Sequence, residues 1–315
     1  MATSLKPSFF KQNPFFLKNS YLRSIFWFIL SLFVSNTNDL LTKFLGQDLS
    51  CVDIIFWRFL FASITLVPFM IWRGPSSWKT KRPSLHLLRA GLLCLGITLW
   101  CQGLTVVPMA TVTALSFSIP LFTLALARIF LKELIGWHRF LATLVGFIGI
   151  LIILSPTVIG FPHIGLNLII AASMFAVLDI INKKFILQES MLSMLFYSAF
   201  FTATLSAGPA YVESNLPSFQ QLSLLLGLGI GSNFLLYCVL KAFTAVDTAA
   251  LAPFRYLELV ISVAFGFIFF AEIPDWFTVL GIAVIIPTTL FITRYEFNRE
   301  RNGTVNYRKA SNLSS

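Results

Sequence analysis

The sequence predicts an all-α polytopic membrane protein, with ten transmembrane helices forming two inverted five-helix repeats. Three observations carry this expectation. Of the 315 residues, 57% are hydrophobic and only 11% are charged, with a mean hydropathy of +0.82; a soluble domain ordinarily carries about 25% charged residues. Apolar runs long enough to cross a bilayer, which takes about 20 residues per helix, follow one another along nearly the whole chain. Short motifs recur at a fixed separation, as duplicated halves would require. The composition excludes a water-soluble enzyme, a nucleic-acid binder and a disordered chain.

The runs cover 24–45, 51–72, 87–106, 109–130, 138–155, 164–185, 191–211, 222–241, 250–271 and 274–293. Several of the gaps are too short for anything but antiparallel hairpins, which predicts a compact bundle. The chain then divides into an N-terminal tail (1–23), a first five-helix repeat (24–155), a second (164–293) and a C-terminal tail (294–315). The first run is too long and begins too late for a cleaved signal peptide, so the N-terminal tail is expected to be retained.

The formal net charge of +10 reads as topology. With the N-terminus inside, all but three of the 23 Lys and Arg residues fall on inside tails and loops or, for Lys183, at the inner end of a span; among them are Arg73, Lys79, Lys81, Arg82 and Arg89. The outside loops at 47–50, 155–164 and 271–275 hold none. Such a split is the positive-inside rule and places both termini in the cytoplasm. No nucleic-acid partner is expected.

Cys51, Cys94, Cys101 and Cys238 lie in or at the ends of spans without CxxC spacing, and His86, His138 and His163 sit at loop ends without ligand spacing. They read as packing and loop residues, so neither a metal nor a cofactor is expected.

The repeat is visible at both ends of each half. Asp39-Leu-Leu-Thr-Lys43 stands 140 positions before Asp179-Ile-Ile-Asn-Lys183, and Glu133 and Trp137 stand 139 positions before Glu272 and Trp276. Five helices is an odd number, so the second half enters the membrane upside down. Inverted repeats are the architecture of alternating-access transporters, with substrate near the midplane.

Ionisable residues inside spans cost about 2.5–3.5 kcal/mol each at mid-bilayer and so mark function. They are Asp39, Lys43, Arg58, Asp179, Lys183, Arg255 and Glu258. From the helical rise, Asp39 and Arg58 lie about 5–7 Å outward of their span centres, and Asp179, Arg255 and Glu258 about 4–8 Å inward. Two charged layers would thus bracket a central cavity. Asp39–Lys43 and Asp179–Lys183 have the i,i+4 spacing of intrahelical ion pairs, in which lysine neutralises the aspartate or snorkels to the interface. Asp39 pairing with Arg58 outside and Asp179 with Arg255 inside, closing alternately, would make a gate. In 252–258, Pro253 frees backbone carbonyls, tolerable in a membrane only against protein or a cavity. Arg255 and Glu258 share a face there, whereas the first half has Ser116 and Ile119 at the equivalent places. Trp100 and Gln102, Asn233 and Tyr237 add polar and aromatic groups at similar depth. The candidate substrate-binding residues are therefore Asp39, Arg58, Trp100, Gln102, Ser116, Asp179, Asn233, Tyr237, Arg255, Tyr256 and Glu258.

Over roughly residues 22–293 the chain resembles the EamA branch of the drug/metabolite transporter superfamily, in its ten spans, its five-plus-five repeat and the glutamates ending spans four and nine. Within it the resemblance is greatest to the S-adenosylmethionine uptake transporters of obligate intracellular bacteria. The strings that carry it are 178–185, 189–191, 194–199, 252–262 and 285–291. The resemblance implies import of S-adenosylmethionine across the bacterial inner membrane by a monomer, with S-adenosylhomocysteine as exchange partner. Such a substrate would set its sulfonium and ammonium against Glu258, Asp39 or Asp179, its carboxylate against Arg58 or Arg255, and its adenine on Trp100, Tyr237 or Tyr256. The same groups would suit a transporter, importing or exporting, of amino acids or other small amphipathic metabolites. A membrane enzyme acting on lipid phosphates is disfavoured, because HExxH, DxxD and a Gly-rich phosphate loop are all missing. No ATP-binding segment is present, so gradients or exchange must supply the energy.

Overall fold

The computed structural model describes residues 14–131 and 162–276, apart from short gaps at 81, 117, 187, 214–215, 245, 247–250, 252–253, 256 and 274–275, with scattered positions in 137–148 and 279–295. Every regular element among the described residues is helical. Six helices are long and apolar enough to cross a membrane: α1 (Pro14–Leu45), α2 (Cys51–Arg73), α3 (Pro83–Val106), α6 (Pro162–Phe185), α7 (Met191–Glu213) and α8 (Phe219–Phe243). Three shorter ones are α4 (Met109–Ser116), α5 (Ser118–Leu126) and α9 (Leu257–Phe270). The chain is a multi-pass membrane protein.

The helix ends follow from local chemistry. The Ser50 hydroxyl accepts the Asp53 amide and starts α2, and Ser218 and Gln221 form a reciprocal capping box at α8. Pro83 occupies the first turn of α3, where its missing N–H costs nothing. Gly74, at φ +85°, ends α2 in a conformation that favours glycine.

Two expected spans differ from a plain helix. The run at 109–130 is divided into α4, α5 and a π-helical turn at Ala127–Leu131. The run at 250–271 passes through a 3-10 turn at Phe254 and Arg255 before α9 begins at Leu257, so the backbone is irregular beside Pro253. The fifth and tenth expected spans lie largely outside the described residues, as do Glu133, Phe117 and Tyr256.

Packing pairs α1 with α8, α2 with α7, α3 with α6 and α4 with α9. Further contacts join α2 to α8, α3 to α7, α5 to α6 and α1 to α9. Ile25, Phe28 and Leu32 of α1 meet Ala242 and Phe243 of α8, and Ile55, Phe59 and Ala62 of α2 meet Ala199 and Ala203 of α7. Small residues let helices approach closely, which is how helices associate in a solvent as apolar as their own side chains. At Gly229 of α8 a β-carbon would stand 2.8 Å from the Arg58 carbonyl oxygen and 2.9 Å from the Ala62 nitrogen of α2. Large apolar side chains such as Phe26, Phe69, Trp72 and Phe267 point outward, as a lipid-facing surface requires.

Candidate functional site

The inward-facing polar residues of α1, α2, α3, α4, α6, α7, α8 and α9 enclose a cavity of about 210 Å³. Asp39, Arg58, Trp100, Ser116, Asp179, Asn233, Arg255 and Glu258, all expected from sequence, line it together. Ser116 and Ile119, which stand 139 positions before Arg255 and Glu258, line it as well.

Each charge is anchored. The Asp179 carboxylate pairs with the Arg255 guanidinium, which also lies 5.8 Å from the centre of the Phe28 ring. Asp39 accepts the indole N–H of Trp100 at 3.0 Å, and the Trp100 ring meets Phe175 edge-on. Arg58 donates through Nε to the Ser232 hydroxyl at 2.5 Å, and that hydroxyl donates in turn to the Leu228 carbonyl. Asn233 donates to the Ala62 carbonyl (2.8 Å) and to the Thr65 hydroxyl (3.2 Å), tying α8 to α2 at the cavity wall. Glu258 lies beside Ser35.

Several expectations are corrected. Asp39 and Arg58 form no ion pair; each is held by a neutral partner from another helix instead. The i,i+4 lysines do not neutralise the aspartates. Lys43 reaches Glu272 at 2.6 Å, the Val107 carbonyl at 3.2 Å and the face of Phe270, while the second Glu272 oxygen accepts the Met109 amide at 3.3 Å. Lys183 donates to the carbonyls of Phe243 and Val246 at 2.8 and 2.6 Å. Gln102 is exposed outside the cavity, because residues two apart on a helix point about 200° apart and Trp100 takes the inward direction. Tyr237 turns towards α1, its ring edge-on to Trp27 with Lys241 above it. Tyr256 lies outside the described residues. Arg89, counted from sequence among the cytoplasmic charges, is only 2% exposed and donates through Nε to Asn182, a cavity residue.

The sequence reading passed over Ser31, Ser35, Asn38, Asn182, Ser198 and Ser232, all in the lining. Ser31, Ser35 and Asn38 recur at i, i+4 and i+7 of α1, a polar stripe that would have revealed them. Among the described residues no group of three or more His, Cys, Asp or Glu stands close enough to hold a metal ion.

The EamA-like transporter family matches this sequence twice, over residues 22–155 and 164–294. The chain belongs to that family. In this EamA-like transporter, 273 residues are 50% identical to the S-adenosylmethionine uptake transporter of Rickettsia prowazekii, covering 87% of this chain and 93% of that protein. The riboflavin transporter of Rhizobium johnstonii is 30% identical over 278 residues, covering 87% of this chain and 92% of that one. A solved structure described only as a protein crystal structure superposes with a TM-score of 0.71 at 16% identity, covering 89% of this chain and 98% of its own, and so shares the fold. An EamA-like transporter moves solutes and is not an enzyme.

Proposed function

We propose that this chain imports S-adenosylmethionine across the bacterial inner membrane by alternating access, in exchange for S-adenosylhomocysteine. The 50% identity to an S-adenosylmethionine uptake transporter, sustained over 87% of the chain, carries the assignment. The cavity's charge supports it. Asp39, Asp179 and Glu258 face Arg58 and Arg255, one carboxylate in excess, and S-adenosylmethionine is a net monocation. Riboflavin, the cargo named for the 30% relative, carries no charge to use this arrangement.

Two inverted five-helix repeats underlie the transport cycle in this reading. Exchanging α1 with α6, α2 with α7, α3 with α8 and the α4–α5 segment with α9 maps the observed helix pairings onto one another: α1–α8 becomes α3–α6, α2–α8 becomes α3–α7, and α5–α6 becomes α1–α9. The two family matches divide the chain at the same place. The lysines follow the same symmetry, Lys43 taking the carbonyl of Val107 and Lys183 that of Val246, 139 residues on. With both termini cytoplasmic, Lys43–Glu272 closes the outer side of the cavity, and Asp179–Arg255 closes the inner side. The monomer is the working unit in this reading.

Uptake of labelled S-adenosylmethionine by energised cells lacking an importer of their own tests the assignment. Saturable uptake that excess S-adenosylhomocysteine competes away is expected. If correctly inserted protein brings in no label, the substrate is wrong, and the search moves to other small amphipathic metabolites.

A further inference from the structure

The charges along the cavity are not equivalent, and their partners distinguish them. Arg255 is committed to Asp179. Arg58 is not committed to a carboxylate: its Nε is fixed on Ser232, which sets the plane of the guanidinium, and its two terminal nitrogens have no hydrogen-bond partner among the described residues, on a side chain that lines the cavity. Asp39 is similar in kind. One oxygen accepts the Trp100 N–H and the other is left to the cavity. Asp39 and Arg58 are close enough for their charges to interact, yet they form no pair. A short step inward, Asp39 feels a second carboxylate, Glu258.

An anchored cation and an anchored anion held side by side and apart form a receptor for a zwitterion. A direct ion pair would have to be broken for ligand to enter, whereas groups fixed by neutral neighbours are already organised to bind. Two neighbouring carboxylates repel each other, and a cation between them relieves that repulsion. An α-amino acid head carries its carboxylate and ammonium on one carbon, and in S-adenosylmethionine the sulfonium follows a few bonds later.

We infer that Arg58 and Asp39 hold the amino-acid head of the substrate, Arg58 taking its carboxylate and Asp39 its ammonium, with the sulfonium facing Glu258. Ser232 and Trp100 act as positioning residues for the two. Arg255 makes no contact with the substrate carboxylate and serves the inner closure. The adenosine then occupies the apolar wall of Leu93, Ile97, Phe175 and Leu195. This rests on the S-adenosylmethionine reading and narrows it to one orientation.

The test compares uptake of S-adenosylmethionine with that of its decarboxylated analogue, which keeps sulfonium, amine and adenosine. Wild-type protein and the variants Arg58→Gln, Arg58→Lys and Arg255→Gln are measured at equal amounts in the membrane. Arg58→Gln is expected to raise the half-saturating concentration for S-adenosylmethionine roughly 10- to 100-fold and that for the analogue less than about threefold. Arg58→Lys, which keeps the charge without the fork, falls between. Arg255→Gln should slow both ligands alike. Equal losses for both ligands in Arg58→Gln would overturn the assignment of Arg58. Should that variant not insert, the wild-type protein decides alone: the same 10- to 100-fold preference for the carboxylated ligand supports the orientation, and equal affinities overturn it. Absence of S-adenosylmethionine uptake by the wild type would instead overturn the substrate reading on which this rests.

Discussion

Asp179 and Arg255 illustrate what a charge inside a membrane demands. Neither residue tolerates apolar surroundings alone, and each has the other as its partner across helices. Removing one leaves the other buried and uncompensated, which costs about 3–5 kcal/mol where such pairs have been broken. Asp179→Asn should therefore destabilise the purified protein by an amount of that order. The double variant Asp179→Asn/Arg255→Gln should be more stable than Asp179→Asn alone. Thermal unfolding in detergent reads both, and a double variant less stable than the single would show that the pair is not what holds these residues. At this scale the sequence was informative because ionisable residues are rare in spans: of the seven read there, Asp39, Arg58, Asp179, Arg255 and Glu258 line the cavity, whereas Lys43 and Lys183 do not. It was uninformative about partners. The Lys43–Asp39 spacing suited an intrahelical pair, but Glu272 lies within 2.6 Å of Lys43 although it is 229 positions away, and no local pattern reveals such a neighbour. Ser35 and Asn38 escaped notice for another reason: serine and asparagine routinely bond back to their own helix, as Ser31 does to Phe28, so their presence in a span signals nothing by itself.

Helices are held in register by contacts that lack side chains as much as by those that have them. Gly229 brings the backbone of α8 against that of α2 at the level of Arg58, with no room for a methyl group. Gly229→Ala is expected to destabilise the protein by about 1–3 kcal/mol through overpacking, with loss of transport as Arg58 shifts. Gly91→Ala, where a β-carbon would meet nothing within 4 Å, should leave both unchanged. Comparing thermal stability of the two variants checks this. The end of α1 is tied to the end of α9 by Lys43 and Glu272, with the turn into α4 bound to the same carboxylate. If this contact closes the outer side, Glu272→Gln should increase labelling of a cysteine placed at Ser35 by a membrane-impermeant thiol reagent in an otherwise cysteine-free protein. Labelling unchanged from the parent would remove the contact from the gate. The start of α2 was legible, since the run expected from residue 51 begins behind the Ser50 cap, whereas α8 begins at Phe219 behind Ser218, three residues before the apolar run expected at 222. The fracture of the fourth span into α4, α5 and a π-helical turn was not, because its composition is uniformly apolar and hydropathy does not register a change of helical pitch.

At the scale of the whole molecule, the principal helix pairings, α1 with α8, α3 with α6, α2 with α8 and α3 with α7, are those that the proposed exchange of two halves maps onto one another. In that reading a second packing, related to this one by the same symmetry, would open the cavity to the other side, as alternating access requires. A bound monocation would also couple the cycle to the membrane potential, at about 2.3 kcal/mol per charge per 100 mV. The recurring Asp-x-x-x-Lys motif is what suggests this symmetry in the sequence. The choice among metabolites came from the resemblance carried by strings such as 178–185 and 252–262 and not from the chemistry of single residues, since the charges and aromatic groups of the cavity serve any amphoteric solute. The central claim is that one cavity carries S-adenosylmethionine by opening alternately to each side. Counterflow in proteoliposomes of the purified protein tests it most directly. External labelled S-adenosylmethionine should enter faster into vesicles loaded with S-adenosylmethionine or S-adenosylhomocysteine than into empty ones, saturably, and Glu258→Gln should abolish the entry. Flux that rises linearly with concentration and ignores the internal solute would contradict the account.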